Sequence, residues 1–188
     1  MIKTKEDLKA YLLSDQKANY INKNRIIHRF PLIYQNMKII YLMRKTEYFF
    51  NRNKKIAFFL YKKRMQKLCT KLGIFLNINV FGPGLRIAHP FNIAVSGYAK
   101  IGSNCFIYQG VTIGVNENEQ GAPTIGNNVV IGAGAKIIGN IEIADNVCIG
   151  ANAVVTKSIL EPNTTWGGIP ARKISNNSSL SYLSKYLR

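Results

Sequence analysis

The chain has 188 residues, enough for one domain or one domain with an appendage. Hydrophobic residues make up 47% and aromatics 11%, which excludes a fully disordered chain. Lys+Arg number 26 against 9 Asp+Glu, a formal net charge of +17. Residues 1–73 hold 18 of the basic and 4 of the acidic side chains, so most of that charge belongs to the first two-fifths of the chain. Such asymmetry fits a surface that faces phosphates, acidic glycans or an anionic membrane, and equally a solvated basic helical face.

Thr4-x-x-Asp7 reads as a capping box ahead of Leu8, Tyr11 and Leu12, which have helical spacing. His28, beside Arg29, reads as a surface or packing residue, and Phe30-Pro31 breaks the pattern. A second helix is expected from Leu32 to about Phe50. Its apolar stripe of Ile33, Met37, Ile40, Met43 and Phe50 is interrupted by Lys38, Arg44 and Lys45. A third runs from about Lys54 to Leu72, with Phe58, Tyr61, Met65, Leu68 and Leu72 on one side. Residues 1–73 therefore form a basic helical N-terminal segment.

Beyond it the sequence acquires a fixed period. Val95, Ile101, Ile107 and Ile113, then Ile125, Ile131, Ile137, Ile143, Ile149 and Val155, follow one another at steps of six, with one step of twelve. Small residues and turn-type pairs such as Asn127-Asn128 and Asp145-Asn146 come between the anchors. Six is neither the helical nor the strand period. It describes a short strand with one inward aliphatic and a tight turn, repeated to stack a solenoid around a column of Ile and Val. Phe81, Ile87 and Ile93 keep the spacing but run two residues out of register. The twelve-residue step has Glu119 where an aliphatic is due, and so predicts a protruding loop. After the solenoid, residues 175–188 form a tail in which Leu180, Leu183 and Leu187 suit a short amphipathic helix.

Cys69, Cys105 and Cys148 have no metal-ligand spacing and suit reduced thiols. No signal peptide or membrane-spanning run is read from the sequence, so a cytoplasmic location is expected, with a peripheral place at the inner membrane face left open. His89 lies in Gly84-Leu-Arg-Ile-Ala-His-Pro90, where the repeat changes register. A histidine readily accepts a proton near neutral pH, although a lone His before Pro is more often a turn residue than a base.

Residues 82–174 resemble the hexapeptide-repeat acyltransferases, most of all the serine acetyltransferase-like branch that includes O-acetyltransferases of capsular polysaccharides. The segments that carry the likeness are Gly84-Leu-Arg-Ile-Ala-His89, Ile107-Tyr-Gln-Gly-Val-Thr-Ile-Gly114, Ile131-Gly-Ala-Gly-Ala-Lys-Ile-Ile-Gly139, Ile149-Gly-Ala-Asn-Ala-Val-Val-Thr-Lys157 and Gly168-Ile-Pro-Ala-Arg172. The resemblance implies a mainly β protein, a left-handed parallel β-helix over 74–174. It also implies a homotrimer, with dimers of trimers open, active sites between subunits, acetyl-CoA as co-substrate and no metal. It makes His89 the general base, with a backbone N–H near Gly114 for the oxyanion. It places Ala133, Ala151, Thr156, Lys157 and Arg172 along the CoA site. The alanines, 18 residues apart, stand at equivalent places on successive coils, and Lys157 and Arg172 supply positive charge for phosphates.

In that branch, enzymes that acetylate free serine carry an Asp before the histidine, another about fifteen residues earlier, and an Arg-His pair before the loop Pro. Ala88, Ile74 and Gly121-Ala122 stand here instead. On these departures the expected acceptor is a sugar hydroxyl of a surface or capsular polysaccharide, or its lipid-linked precursor. Serine is the alternative, and a non-catalytic scaffold the alternative of another class. No nucleic-acid motif accompanies the charge. The basic helices are expected to dock an anionic glycan or the inner membrane surface, or to pack against each other.

Overall fold

A computed structural model describes residues 1–19, 31–117 and 120–184, with the backbone alone for 31–34. His28, Phe30, Glu119 and Leu187, all singled out in the sequence, lie outside the described residues.

Helix α1 (Lys5–Ala18) opens on the expected capping box. Thr4 accepts from the Asp7 N–H, and the Asp7 carboxylate accepts from the Thr4 N–H at 2.8 Å. Helix α2 (Pro31–Asn51) and helix α3 (Lys55–Leu72) form a hairpin, and Gly73, with φ of 63°, closes α3 in the left-handed conformation that glycine adopts without strain.

From Phe75 the chain winds as a three-sided parallel β-helix, each side built of strands two or three residues long. One face stacks β1 (Arg86–Ile87), β4 (Phe106–Ile107), β7 (Val130–Ile131), β10 (Cys148–Ile149) and β12 (Thr165–Gly167) in parallel, with β13 (Arg172–Ser175) added antiparallel at the end. The second stacks β2 (Ala94–Val95), β5 (Thr112–Gly114), β8 (Lys136–Ile138) and β11 (Val154–Val155), and the third β3 (Lys100–Ile101), β6 (Thr124–Ile125) and β9 (Glu142–Ile143). The predicted anchors pair in register, Ile107 with Ile131, Ile113 with Ile137 and Ile125 with Ile143. They fill the interior as one buried column. Each such side chain withdrawn from water contributes about 1.5–3 kcal/mol.

The corners turn through positive φ, and most of those residues are Gly or Asn, the types that tolerate it. One edge carries an amide ladder. Asn104 donates to Asn128 at 2.9 Å, Asn128 to Asn146 at 2.9 Å and Asn146 to Asn163 at 3.0 Å. These side chains repeat once per coil, so each satisfies its neighbour's polar group.

The early register shift has a local cause. Phe81 and Ile87 bridge Ile101 and Ile107, so they belong to the same columns as the later anchors. The corner between β1 and β2 is two residues longer than those after β4, β7 and β10, which displaces Ile93 from the strand position that Val95 takes. The twelve-residue step is a loop between β5 and β6, and the β3–β6 pairing runs undisturbed across it.

Arg44 departs from the sequence expectation. Read as an interruption of an apolar stripe, it is fully buried, and its charge is the reason: a carboxylate on another helix and two backbone carbonyls of the first coil converge on it. The tail folds back along the first face, where Leu183 packs with Phe106, Val130 and Ala18, and Tyr182 shares a hydrogen bond with Tyr108. A short helix α4 (Leu180–Leu183) forms there.

Candidate active site

His89 owes its position to the lengthened corner. Backbone bonds fix the correspondence between coils: Gly110 N–H donates to Phe91, Gly134 to Gln109 and Asn152 to Ala133. Phe91, Gln109 and Ala133 are therefore equivalent rungs, and Ala151 continues the column one coil on. His89 and Pro90 are the two residues this corner has in excess. His89, at φ of 56°, is exposed on the edge of the prism, while Pro90 is buried beneath it. Among the described residues the imidazole has no hydrogen-bond partner.

The site residues divide by edge. His89, Ala133 and Ala151 share the edge between the first and second faces, two and three coils apart, about 10 and 14 Å at the spacing of paired strands. After Tyr-Gln-Gly-Val at 108–111, small residues dominate that edge: 132–135 is Gly-Ala-Gly-Ala and 150–153 is Gly-Ala-Asn-Ala. A Cβ built on Gly134 would fall 2.1 Å from Asn152 Oδ1, so bulk is excluded from the corner itself. An extended chain can thus lie against the backbone there.

Gly114 stands apart from these residues. It ends β5 at the far side of the second face, where its carbonyl accepts from the Gly139 N–H at 3.1 Å. Thr156, Lys157 and Arg172 come together. They line one cavity of about 300 Å³ with Val155, Trp166 and Ala171 at the last coils. Both cations are exposed, while the neighbouring Lys173 is held by Glu161 at 2.5 Å. A phosphate-bearing group fits this chemistry, two cations without an ion-pair partner among the described residues, beside the Trp166 indole.

Sequence reading passed over three residues here. Trp166, the only tryptophan, forms a wall of that cavity and is pinned by its Nε1 donating to Thr164 at 2.9 Å. Lys136, inside a quoted motif but unremarked, is half-buried and donates to the Gly110 carbonyl at 2.5 Å, one strand from the His89 edge. Asn36 of α2 donates to Ile87 at 2.6 Å and keeps a buried Oδ1 without a partner among the described residues. Only long-range folding brings it to the strand that leads to His89.

The departures expected to exclude serine are visible as well. Ile74 is buried in the core, Ala88 is half-buried with its N–H donating to Ile107 at 2.9 Å, and Gly121-Ala122 lines a cavity of about 550 Å³ with Tyr98 and Gln120.

The family model described as bacterial transferase hexapeptide (six repeats) matches residues 122–157. A serine acetyltransferase of Synechococcus elongatus is 38% identical over 131 residues, 64% of this chain and 53% of that one. A serine acetyltransferase of Buchnera aphidicola subsp. Acyrthosiphon pisum is 31% identical over 186 residues, 96% of this chain and 64% of that one. The chain thus spans about half to two thirds the length of these relatives. The crystal structure of Neisseria gonorrhoeae serine acetyltransferase in complex with serine superposes with a TM-score of 0.72 at 28% identity, covering 91% of this chain and 70% of that one.

These relatives overturn the polysaccharide acceptor favoured from sequence. That preference rested on charged groups missing at positions 74, 88 and 121–122. A small zwitterion needs paired charges, but they need not stand at the same places in every chain. A likeness to serine acetyltransferases that runs through the N-terminal helices as well as the coils outweighs four absent side chains. The repeat match and the three-sided coils together show the left-handed β-helix fold of hexapeptide-repeat proteins, and the chain is similar in sequence to serine acetyltransferases.

Proposed function

We propose that the chain is an acetyl-CoA-dependent O-acetyltransferase whose acceptor is the hydroxyl of L-serine. The observation that carries the reading is the extent of the match to serine acetyltransferases, which takes in helices and coils alike.

In this reading His89 is the general base. Its imidazole takes the proton from the serine Oγ as that oxygen attacks the thioester carbonyl of acetyl-CoA. The tetrahedral intermediate carries its negative charge on the former carbonyl oxygen, stabilised by a backbone N–H near Gly114. Collapse breaks the carbon–sulfur bond, and the imidazolium returns its proton to the departing CoA sulfur. O-acetylserine and CoA result, and His89 is neutral again. The pantetheine arm lies along the edge marked by Ala133 and Ala151. The phosphates meet Lys157 and Arg172, beside Thr156, with Trp166 as a wall. The chain acts as a homotrimer, in which a neighbouring subunit supplies the other side of each site. Gly114 lies on the opposite border of the second face from His89, so it serves a neighbour's histidine more readily than its own. Groups other than those at 74 and 88 hold the serine charges.

The test is release of free CoA thiol from acetyl-CoA in the presence of L-serine, with O-acetylserine identified by mass spectrometry. Turnover with serine supports the reading. Tight CoA binding without turnover of serine would overturn it.

A further inference from the structure

Helix α3 has two faces, and only one is used. Met65, Cys69 and Leu72 are buried, with Tyr61 and Leu68 packed partly against the same core. Aromatic side chains near the turn of the hairpin are spent on packing: Phe49 meets Tyr61, and Phe50 meets Phe58 across it. The outward face presents Ile56, Phe59 and Leu60, exposed by 81%, 63% and 50%. These three lie at i, i+3 and i+4, and Lys63 and Lys67 continue the same stripe. Phe50, half-exposed at the end of α2, stands at the same end of the hairpin.

The charge around the patch is of one sign. From Arg52 to Leu72 there are eight Lys/Arg and no Asp or Glu. Cations therefore surround a cluster of large apolar side chains with nothing to neutralise them on their own helix. A second copy meeting the same face would bring two such surfaces together against their mutual repulsion. A polyanion alone, such as a nucleic acid, leaves Ile56, Phe59 and Leu60 without a use. An anionic lipid surface answers both features, since headgroup charge meets the lysines and the acyl boundary takes the apolar tips. No described helix is long and apolar enough to cross a membrane, so the contact is peripheral.

We propose that the outward face of α3 is a docking surface for an anionic phospholipid bilayer, with Ile56, Phe59 and Leu60 inserting shallowly and the surrounding lysines reading headgroup charge. The surface is separate from the His89 edge and does not depend on which hydroxyl is acetylated.

The experiment is flotation of the full-length protein with vesicles of phosphatidylcholine containing about 30 mol% phosphatidylglycerol, against phosphatidylcholine alone. Binding is expected only to the anionic vesicles. It should weaken about tenfold or more between 0.05 and 0.5 M NaCl as the charges are screened. The triple variant Ile56→Ser, Phe59→Ser, Leu60→Ser leaves the charge unchanged and should lose at least about tenfold in partitioning. Its circular dichroism and acetyl-CoA turnover should match the parent. Failure of the parent to bind anionic vesicles overturns the proposal. So does vesicle binding that the triple variant keeps in full, which reduces the effect to polyanion attraction and predicts equal binding to a DNA duplex. A change of oligomeric state in the triple variant, seen by sedimentation, assigns the face to a second copy and overturns it too.

Discussion

Arg44 donates its Nε to Asp15 Oδ2 at 2.9 Å with both side chains fully sealed from solvent, and this pair joins the helices to the first coil. Asp15 also accepts from the Gly84 and Leu85 N–H groups at 2.9 and 2.8 Å, while Arg44 donates to the Phe81 and Gly82 carbonyls at 2.8 and 2.7 Å. The open backbone of the first coil is thereby satisfied by two side chains. Arg44→Met keeps the apolar stem of the side chain but strands Asp15 and Glu47 as buried carboxylates. Urea titration should show a loss of about 3–5 kcal/mol, the cost of breaking a buried pair from one side.

Glu47 gives that network a pH dependence. Its carboxylate accepts from Arg44 at 3.2 Å and from the Asn79 N–H at 2.9 Å, yet burial outweighs both and raises its pKa above the unfolded value of 4.5. Above pH 4.5 the folded form holds this proton more tightly than the unfolded chain does. The contribution to stability is present below that pH and is lost as pH rises through the folded value. Comparing the parent with Glu47→Gln from pH 4 to 7, the parent's relative stability should decline as pH rises, by at most about 1.4 kcal/mol per pH unit. A flat difference, or one that grows with pH, would contradict the assignment.

His89 can be tested without disturbing the corner that carries it. Asn tolerates the positive φ of this position, as Asn92 does in the same corner with φ of 52°. His89→Asn should therefore keep the parent's melting temperature and CoA affinity while turnover with serine falls about 10²–10⁴-fold. His89→Val would confuse the two effects, because a branched side chain at this φ strains the backbone as well.

The solenoid was legible because its signal is local: one aliphatic per hexad, corner residues that accept positive φ, and a capping box at the first helix. His89 was legible by its place in the lengthened corner, although the two-residue excess at His89-Pro90 emerges only once the coils are stacked. Arg44 was misread because helical periodicity reports which face a residue occupies. It does not report whether a carboxylate from α1 and carbonyls from 81–82 will meet it there. Asn36 and Trp166 were missed for the same reason, since each gains its place through a partner distant in sequence or a cavity closed by the last strands. The acceptor was misjudged because absent charges at known positions say little about charges supplied from elsewhere.

The amide ladder makes a separate prediction about the scaffold. Asn128 accepts from Asn104 and donates to Asn146, both at 2.9 Å. Asn128→Asp keeps the acceptor and the tolerance of positive φ but removes the donor, so two oxygens face each other toward Asn146. Reversing the Asn146 amide relieves this only by turning its oxygen toward that of Asn163. The expected cost is about 1–3 kcal/mol near neutral pH, smaller below about pH 4, where a protonated Asp can donate. Denaturant titration at the two pH values measures the difference, and the KM for acetyl-CoA should not change.

Lys157, two residues past β11, and Arg172, the first residue of β13, share a cavity, which allows their roles in binding to be separated from the chemistry. If the two cations meet CoA phosphates, Lys157→Ala and Arg172→Ala should each raise the KM for acetyl-CoA about tenfold, with kcat little altered, because the interaction is the same in ground and transition states. Both losses should shrink as salt rises, since the groups are exposed and screened. Dephospho-CoA thioesters provide the sharper readout. The variant whose cation meets the ribose 3′-phosphate should no longer discriminate between the two thioesters, while the other keeps the parent's ratio. Unchanged KM values for both variants would move the nucleotide away from this cavity and leave Thr156 and Trp166 without the role given to them.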